Sequence, residues 1–165
     1  MRLPATLEEF VRSELTRAQE LVRKVHPDPI DPQFRIATPD GDCSIAITLT
    51  DRPKERSRRM GLVRDFMAWK LSSGFVLATA IHEPDALMCV GIDARGYAAL
   101  ISLIERNPLG FSGVRFADAK QLRRENMDPA IFELAPKGAR TLTTARIKKL
   151  QTWFGPAGKF PAVKL

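Results

Sequence analysis

Two pairs of short apolar runs, each folded back across a turn signal, set the tightest limit on what this chain can form. The first pair is 34–37 and 44–49, separated by Pro39-Asp-Gly-Asp42. Asp40-Gly41 supplies the positive-φ residues that a tight hairpin turn requires. The second pair is 75–81 and 87–92, around Glu83-Pro84-Asp85. Its strands are almost continuously apolar, the pattern of mid-sheet strands covered on both faces. Two hairpins commit the chain to a largely antiparallel sheet, and the segments between them must supply its cover.

The covering segments read as helices. Thr6-Leu-Glu-Glu9 is a capping box, and Leu7, Phe10, Val11, Leu15, Ala18, Leu21, Val22 and Val25 recur behind it at helical spacing. Three prolines at 27, 29 and 32 end that helix. Between the hairpins, Asp51 is placed to cap and Pro53 to start a second helix, with Met60, Val63, Phe66, Met67 and Leu71 as its apolar stripe and Gly74 as its stop. After the second hairpin, Asp93 is read as the cap of a third helix carrying Tyr97, Leu100, Ile101 and Ile104 inward. Asn107-Pro108 closes it and a short strand follows at 114–116. The likeness of Ile47-Thr-Leu-Thr-Asp51-Arg to Val90-Gly-Ile-Asp93-Ala-Arg has two accounts, an internal duplication or independent use of aspartate as a cap.

Beyond Phe116 the texture changes. Residues 119–126 and 129–134 read as short helices. Residues 142–154 make a better one, with Ile147, Leu150 and Phe154 inward and Arg146, Lys148 and Lys149 outward. Gly155-Pro156 ends it, and 157–165 is expected to be extended. The expected fold class is therefore α+β: an antiparallel-rich sheet from two β-hairpins, with packing helices and a basic helical C-terminal segment. The 165 residues suit a single domain, with 1–116 as the helix/sheet body and 117–165 packed on it, because so short a tail makes a thin core alone.

Charge divides along the same line. Residues 1–119 hold 16 Lys/Arg and 16 Asp/Glu, while 120–165 hold ten basic residues against three acids, so the whole net charge of +7 arises in the tail. A one-sided basic field is a statement about partners. The longest uncharged apolar stretch, about 71–81, falls short of the ~20 residues that a membrane span needs. The N-terminus becomes charged at once, without an apolar signal core, and Cys43 and Cys89 sit in apolar runs without zinc spacing. These features predict a cytoplasmic protein with reduced, buried thiols, no membrane partner and no metal.

Motifs for catalysis are weak. There is no Gly-x-Ser-x-Gly elbow, no Walker loop and no Gly-x-Gly-x-x-Gly, and only two histidines. His82-Glu-Pro-Asp85 collects an imidazole and two carboxylates, but alternate strand positions face apart and Pro-Asp is ordinary turn chemistry. His26 reads as a helix-end histidine near the C-terminal dipole. No cofactor is called for, and the reading leans away from an enzyme.

Arg58-Arg-Met-Gly61-Leu-Val63 resembles the pyrophosphate-binding turn of GNAT-type acyltransferases, although Val63 stands where that family places its second small residue. Leu103-Ile-Glu-Arg-Asn-Pro-Leu-Gly-Phe111 is similar to the late helix and Gly-Phe turn of the same fold. The resemblance covers about 44–111. It implies a strand-turn-helix at Arg58–Gly61 whose backbone amides meet coenzyme A phosphates.

The leading expectation is instead a small binding protein whose partner is a polyanion such as nucleic acid, or else an acidic protein. The candidate residues are Arg56, Arg58 and Arg59 in the basic run 52–59, and Arg123, Arg124, Arg140, Arg146, Lys148 and Lys149 in the tail, with Trp153 or Phe154 to stack beside them. The plainer account of these charges is a set of solvated helix faces. A third reading is a module that dimerises through its apolar strands or first helix. The polyanion reading requires that the two basic clusters meet.

Overall fold

The capping box forms as its spacing requires. The Glu9 N–H donates to Thr6 Oγ1 (3.1 Å), and the Thr6 N–H donates to the Glu9 carboxylate (3.2 Å). Helix α1 (Leu7–Val25) follows and buries Phe10, Val11, Leu15, Ala18 and Val22. The computed structural model describes residues 6–48, 52–83, 85–117, 142–155 and 162–165. The chain continues through β1 (Gln33–Thr38), β2 (Gly41–Ala46), α2 (Pro53–Trp69), β3 (Gly74–His82), β4 (Asp85–Asp93), β5 (Gly96–Arg106), β6 (Leu109–Phe116), α3 (Thr144–Phe154) and β7 (Ala162–Lys164).

The strands form one sheet in the order β6-β5-β4-β3-β1-β2-β7, so the fold is α+β. All neighbours are antiparallel except β7, which adds parallel to β2. Leu165 locks that junction: its N–H donates to the Ala46 carbonyl (2.8 Å), and its carbonyl accepts from the Thr48 N–H (2.9 Å). The extended C-terminus is thus a sheet edge, laid on the first hairpin.

Alternation along the strands gives the sheet two apolar faces. Helix α1 covers one, over Val76, Ala78, Leu87, Cys89, Leu100 and Ile104. It lies so close that a Cβ on Gly91 would stand 2.5 Å from Val11 Cγ2, hence the glycine. Helices α2 and α3 cover the other face, over Phe34, Ile36, Ile45, Phe75, Leu77, Met88, Val90 and Ile101. Phe66 of α2 and Phe154 of α3, both nearly fully buried, meet at 4.6 Å between ring centroids.

Several expectations are corrected. The segment read as a third helix, with Tyr97, Leu100, Ile101 and Ile104 inward, is β5. Ala99 and Ile101 face α2 and α3, Leu100 and Ile104 face α1, and Tyr97 is exposed. Asp93 caps no helix; its Oδ1 accepts from the Arg95 N–H (2.7 Å) in a hairpin turn completed by Gly96 at φ 138°. The two hairpin units are therefore not repeats, since a helix follows one and a strand the other. The short strand at 114–116 is the end of an eight-residue β6, and Asn107-Pro108 is its turn from β5. Helix α2 ends at Trp69 rather than at Gly74, and Leu71, read as part of its stripe, has φ 51° and is exposed. The cap assigned to Asp51 and the helices read at 119–126 and 129–134 lie outside the described residues.

Candidate nucleic-acid interface

The two basic helices share a layer. Helix α2 carries Lys54, Arg56, Arg58, Arg59 and Arg64 against Glu55 and Asp65; α3 carries Arg146, Lys148 and Lys149 with no acid. Both pin their apolar sides to the same sheet face, which turns their charged sides outward together. Two contacts fix their relation. Arg146 Nη1 lies 3.7 Å from Asp65 Oδ1, and the Arg58 guanidinium lies over the Trp153 ring, 5.7 Å from its centroid. Phe154, next to Trp153, packs on Phe66, eight residues along α2 from Arg58, so the last turn of α3 spans α2 from Arg58 to Phe66.

Helical spacing then defines the seam. Residues 58, 61 and 65 form one row on α2, and 146, 149 and 153 form one row on α3, each at i, i+3, i+7. Gly61 stands in its row between Arg58 and Asp65. A Cβ there would touch only Arg64 Nη2 at 3.9 Å, so the glycine leaves a notch in the α2 surface. Lys149 stands between Arg146 and Trp153 in the α3 row. Trp153 is 39% exposed, although its neighbour Phe154 is fully packed.

The expected residues divide by commitment. Arg59 is turned inward, 15% exposed, and donates to Glu55 and to the Thr48 carbonyl. Arg58 is held by a bidentate pair with Glu55, which lowers the Glu55 pKa mainly through the Arg58 hydrogen bonds. Arg56 is exposed, but two residues along a helix turn it about 200° from Arg58, onto the flank away from α3. Lys148 and Lys149 are exposed, and among the described residues neither they nor Lys54, Arg56 and Arg64 have an ion-pair partner. Arg123, Arg124 and Arg140 lie outside the described residues. Lys54 and Arg64 were not singled out from the sequence, and neither was the seam. The signal for it is the pair of i, i+3, i+7 rows, which becomes legible once the contacts of Arg146 with Asp65 and of Arg58 with Trp153 give the facing flanks.

Other candidate chemistry falls away. Arg58 and Gly61 lie inside α2, six and nine residues into the helix, where backbone N–H groups belong to the helical ladder. The strand-turn-helix implied by the acyltransferase resemblance is therefore absent, and 103–111 is the β5–β6 hairpin rather than a late helix and turn. At the second hairpin, the Asp85 carboxylate is taken by Arg106 (2.7 and 3.0 Å), which holds its pKa below the usual carboxylate range. Arg106 also reaches His26 Nδ1 at 3.3 Å. Among the described residues, no group of three or more His, Cys, Asp or Glu side chains is placed to hold a metal ion. Cys43 and Cys89 are buried free thiols, and burial pushes both pKa values up, Cys89 furthest. No helix among the described residues is long and apolar enough to cross a membrane.

No protein-family model, curated protein or solved structure matches this chain.

Proposed function

We propose that the α2–α3 layer is a polyanion-binding surface, its partner a nucleic acid in the cytoplasm, and that the protein acts by binding rather than by catalysis. One observation carries this reading. The basic run of α2 and the basic helix of the tail, 80 or more residues apart in sequence, pack into a single layer that turns seven cations outward, Arg59 alone of the eight being turned in. A polyphosphate backbone laid along that layer releases counterions at each cation it meets, which gives sequence-tolerant and steeply salt-dependent affinity. The same charge suits an acidic protein less well, because the two internal acids already take the cations whose geometry is best fixed, leaving flexible Lys and Arg side chains that match a mobile phosphate chain better than a shaped interface.

The test is retention on heparin at about 150 mM salt, compared between the native chain and the Lys148→Glu/Lys149→Glu variant. Retention by the first and loss by the second is expected; absence of retention by the native chain removes the reading. Both lysines are exposed, so the variant keeps α3 on the sheet. Truncation of the tail is a poorer test, since it removes Phe154 and β7 from the fold.

A further inference from the structure

Resting on the polyanion reading, we infer that the ligand is single-stranded nucleic acid and that Trp153 is the platform on which one of its bases stacks. Phosphate binding alone calls for cations; it gives no reason for a large indole held open in the last turn of α3, against Arg58. Trp153 is the exposed aromatic of α3, and its exposure of 39% contrasts with the 2% of Phe154 beside it. It is not a core residue that failed to bury itself: the helix already has Leu150 and Phe154 as anchors, and the 146–149–153 row faces outward along the seam.

The surroundings of the ring fit a stacked nucleotide. Arg58 lies over one face of the ring at 5.7 Å from its centroid, and Glu55 grips Arg58, so the base takes the other face with the guanidinium held across the indole from it. Lys149 lies one turn from Trp153 on the same row, and Arg146 a further turn away, a span of about 10 Å along the helix axis. A base resting on the indole places its own phosphate within reach of Lys149, and the next phosphates run along the same α3 row toward Arg146. A positively charged track with an aromatic beside it is the arrangement that binds single strands without reading their sequence. In a duplex the base faces are already stacked, so Trp153 has nothing to add there.

The test uses the full-length chain, a fluorescein-labelled oligodeoxythymidylate of about 20 nucleotides, the same strand annealed to its complement, and heparin. Because the chain holds two tryptophans, Trp69→Phe makes Trp153 the sole indole reporter. The expected result is quenching of Trp153 emission by the single strand. Trp153→Ala is expected to weaken single-strand binding about tenfold or more while heparin elution stays unchanged, and Trp153→Phe to retain most of the affinity. If the chain binds heparin and oligonucleotide but Trp153→Ala weakens both equally or neither, or if the duplex binds as tightly as the single strand, the stacking inference is overturned and the polyanion reading stands. If nothing binds, both fall.

Discussion

Arg146 reaches from α3 to within 3.7 Å of the Asp65 carboxylate on α2, tying the tail of the chain to its middle. Arg146 is half-exposed, which caps the strength of the pair: a double-mutant cycle of Arg146→Met with Asp65→Asn should return a coupling of about 0.5 kcal/mol by urea unfolding. The hold on α3 is instead the apolar contact beneath. Phe154 is 2% exposed and packs on Phe66, so Phe154→Ala should cost about 3–4 kcal/mol, and a cost below about 1 kcal/mol would show that α3 is not seated there.

Gly91 marks where α1 comes down on the sheet. An added Cβ would meet Val11 Cγ2 at 2.5 Å and Leu7 Cδ1 at 2.9 Å. Leu7 has rotamers with which to escape, but Val11 is completely buried and can yield only if the helix lifts. Gly91→Ala is therefore expected to destabilise by about 1–3 kcal/mol despite the β-strand setting, in which alanine ordinarily improves on glycine. The contrasting case is Gly61, in helical backbone with open space around it. There Gly61→Ala should stabilise by roughly 0.5–1 kcal/mol, read as a rise in melting temperature.

The pH dependence of stability should be led by Glu14. This carboxyl is 4% exposed under α1, where burial raises its pKa from 4.5 to about 6 despite the opposing charges of Arg17 and Arg35; Asp42 adds to the rise. The other groups around it are fixed: Arg17 and Arg35 both donate to Ser44 Oγ (2.9 and 3.2 Å), and Arg35 also pairs with Asp42 (3.2 Å). A raised carboxylate pKa means that the folded chain holds the proton more tightly. The contribution to stability is full below the unfolded value of 4.5 and is lost as pH rises through about 6. Glutamine imitates the protonated form, so Glu14→Gln should be more stable than the native chain at about pH 8, by about 2 kcal/mol, with the difference closing toward about pH 4. Denaturant midpoints across that range decide it; a difference that does not vary with pH would remove the assignment.

Local chemistry made much of this fold legible. The Thr6–Glu9 box and Pro53 at the start of α2 each act through neighbours in sequence, and each is where the residues place it; the first hairpin also forms, but its turn is Pro39-Asp40, with Gly41 already paired to Thr38 and Asp40 not at positive φ. The segment 93–106 failed for a physical reason. A strand buried on both faces has no polar alternation, so Leu100, Ile101 and Ile104 satisfied helical spacing by chance, and Asp93 serves an Asx turn as well as a helix cap. The C-terminal run reads as extended, but its pairing as β7 was invisible because three residues paired to a distant edge carry no periodicity of their own. The interface was half legible: Arg146, Lys148 and Lys149 point outward as their spacing required, but the meeting of α3 with Arg58, through Trp153, depends on which flanks α2 and α3 present to each other, a tertiary fact.

That meeting separates the arginines of the basic run by role. If the strand follows the seam, Lys149 contributes a phosphate contact, and Lys149→Gln should lower the slope of log affinity against log salt by about 0.7, the increment for one contact to a single strand. Arg56, on the flank of α2 away from α3, should leave both slope and affinity nearly unchanged when replaced by Gln, although it too is exposed and carries the same charge. Titration of both variants with the labelled oligonucleotide at several salt concentrations checks this. Equal losses from the two would mean that the whole basic layer acts as a diffuse field, and that the row of Arg146, Lys149 and Trp153 has no special part in binding.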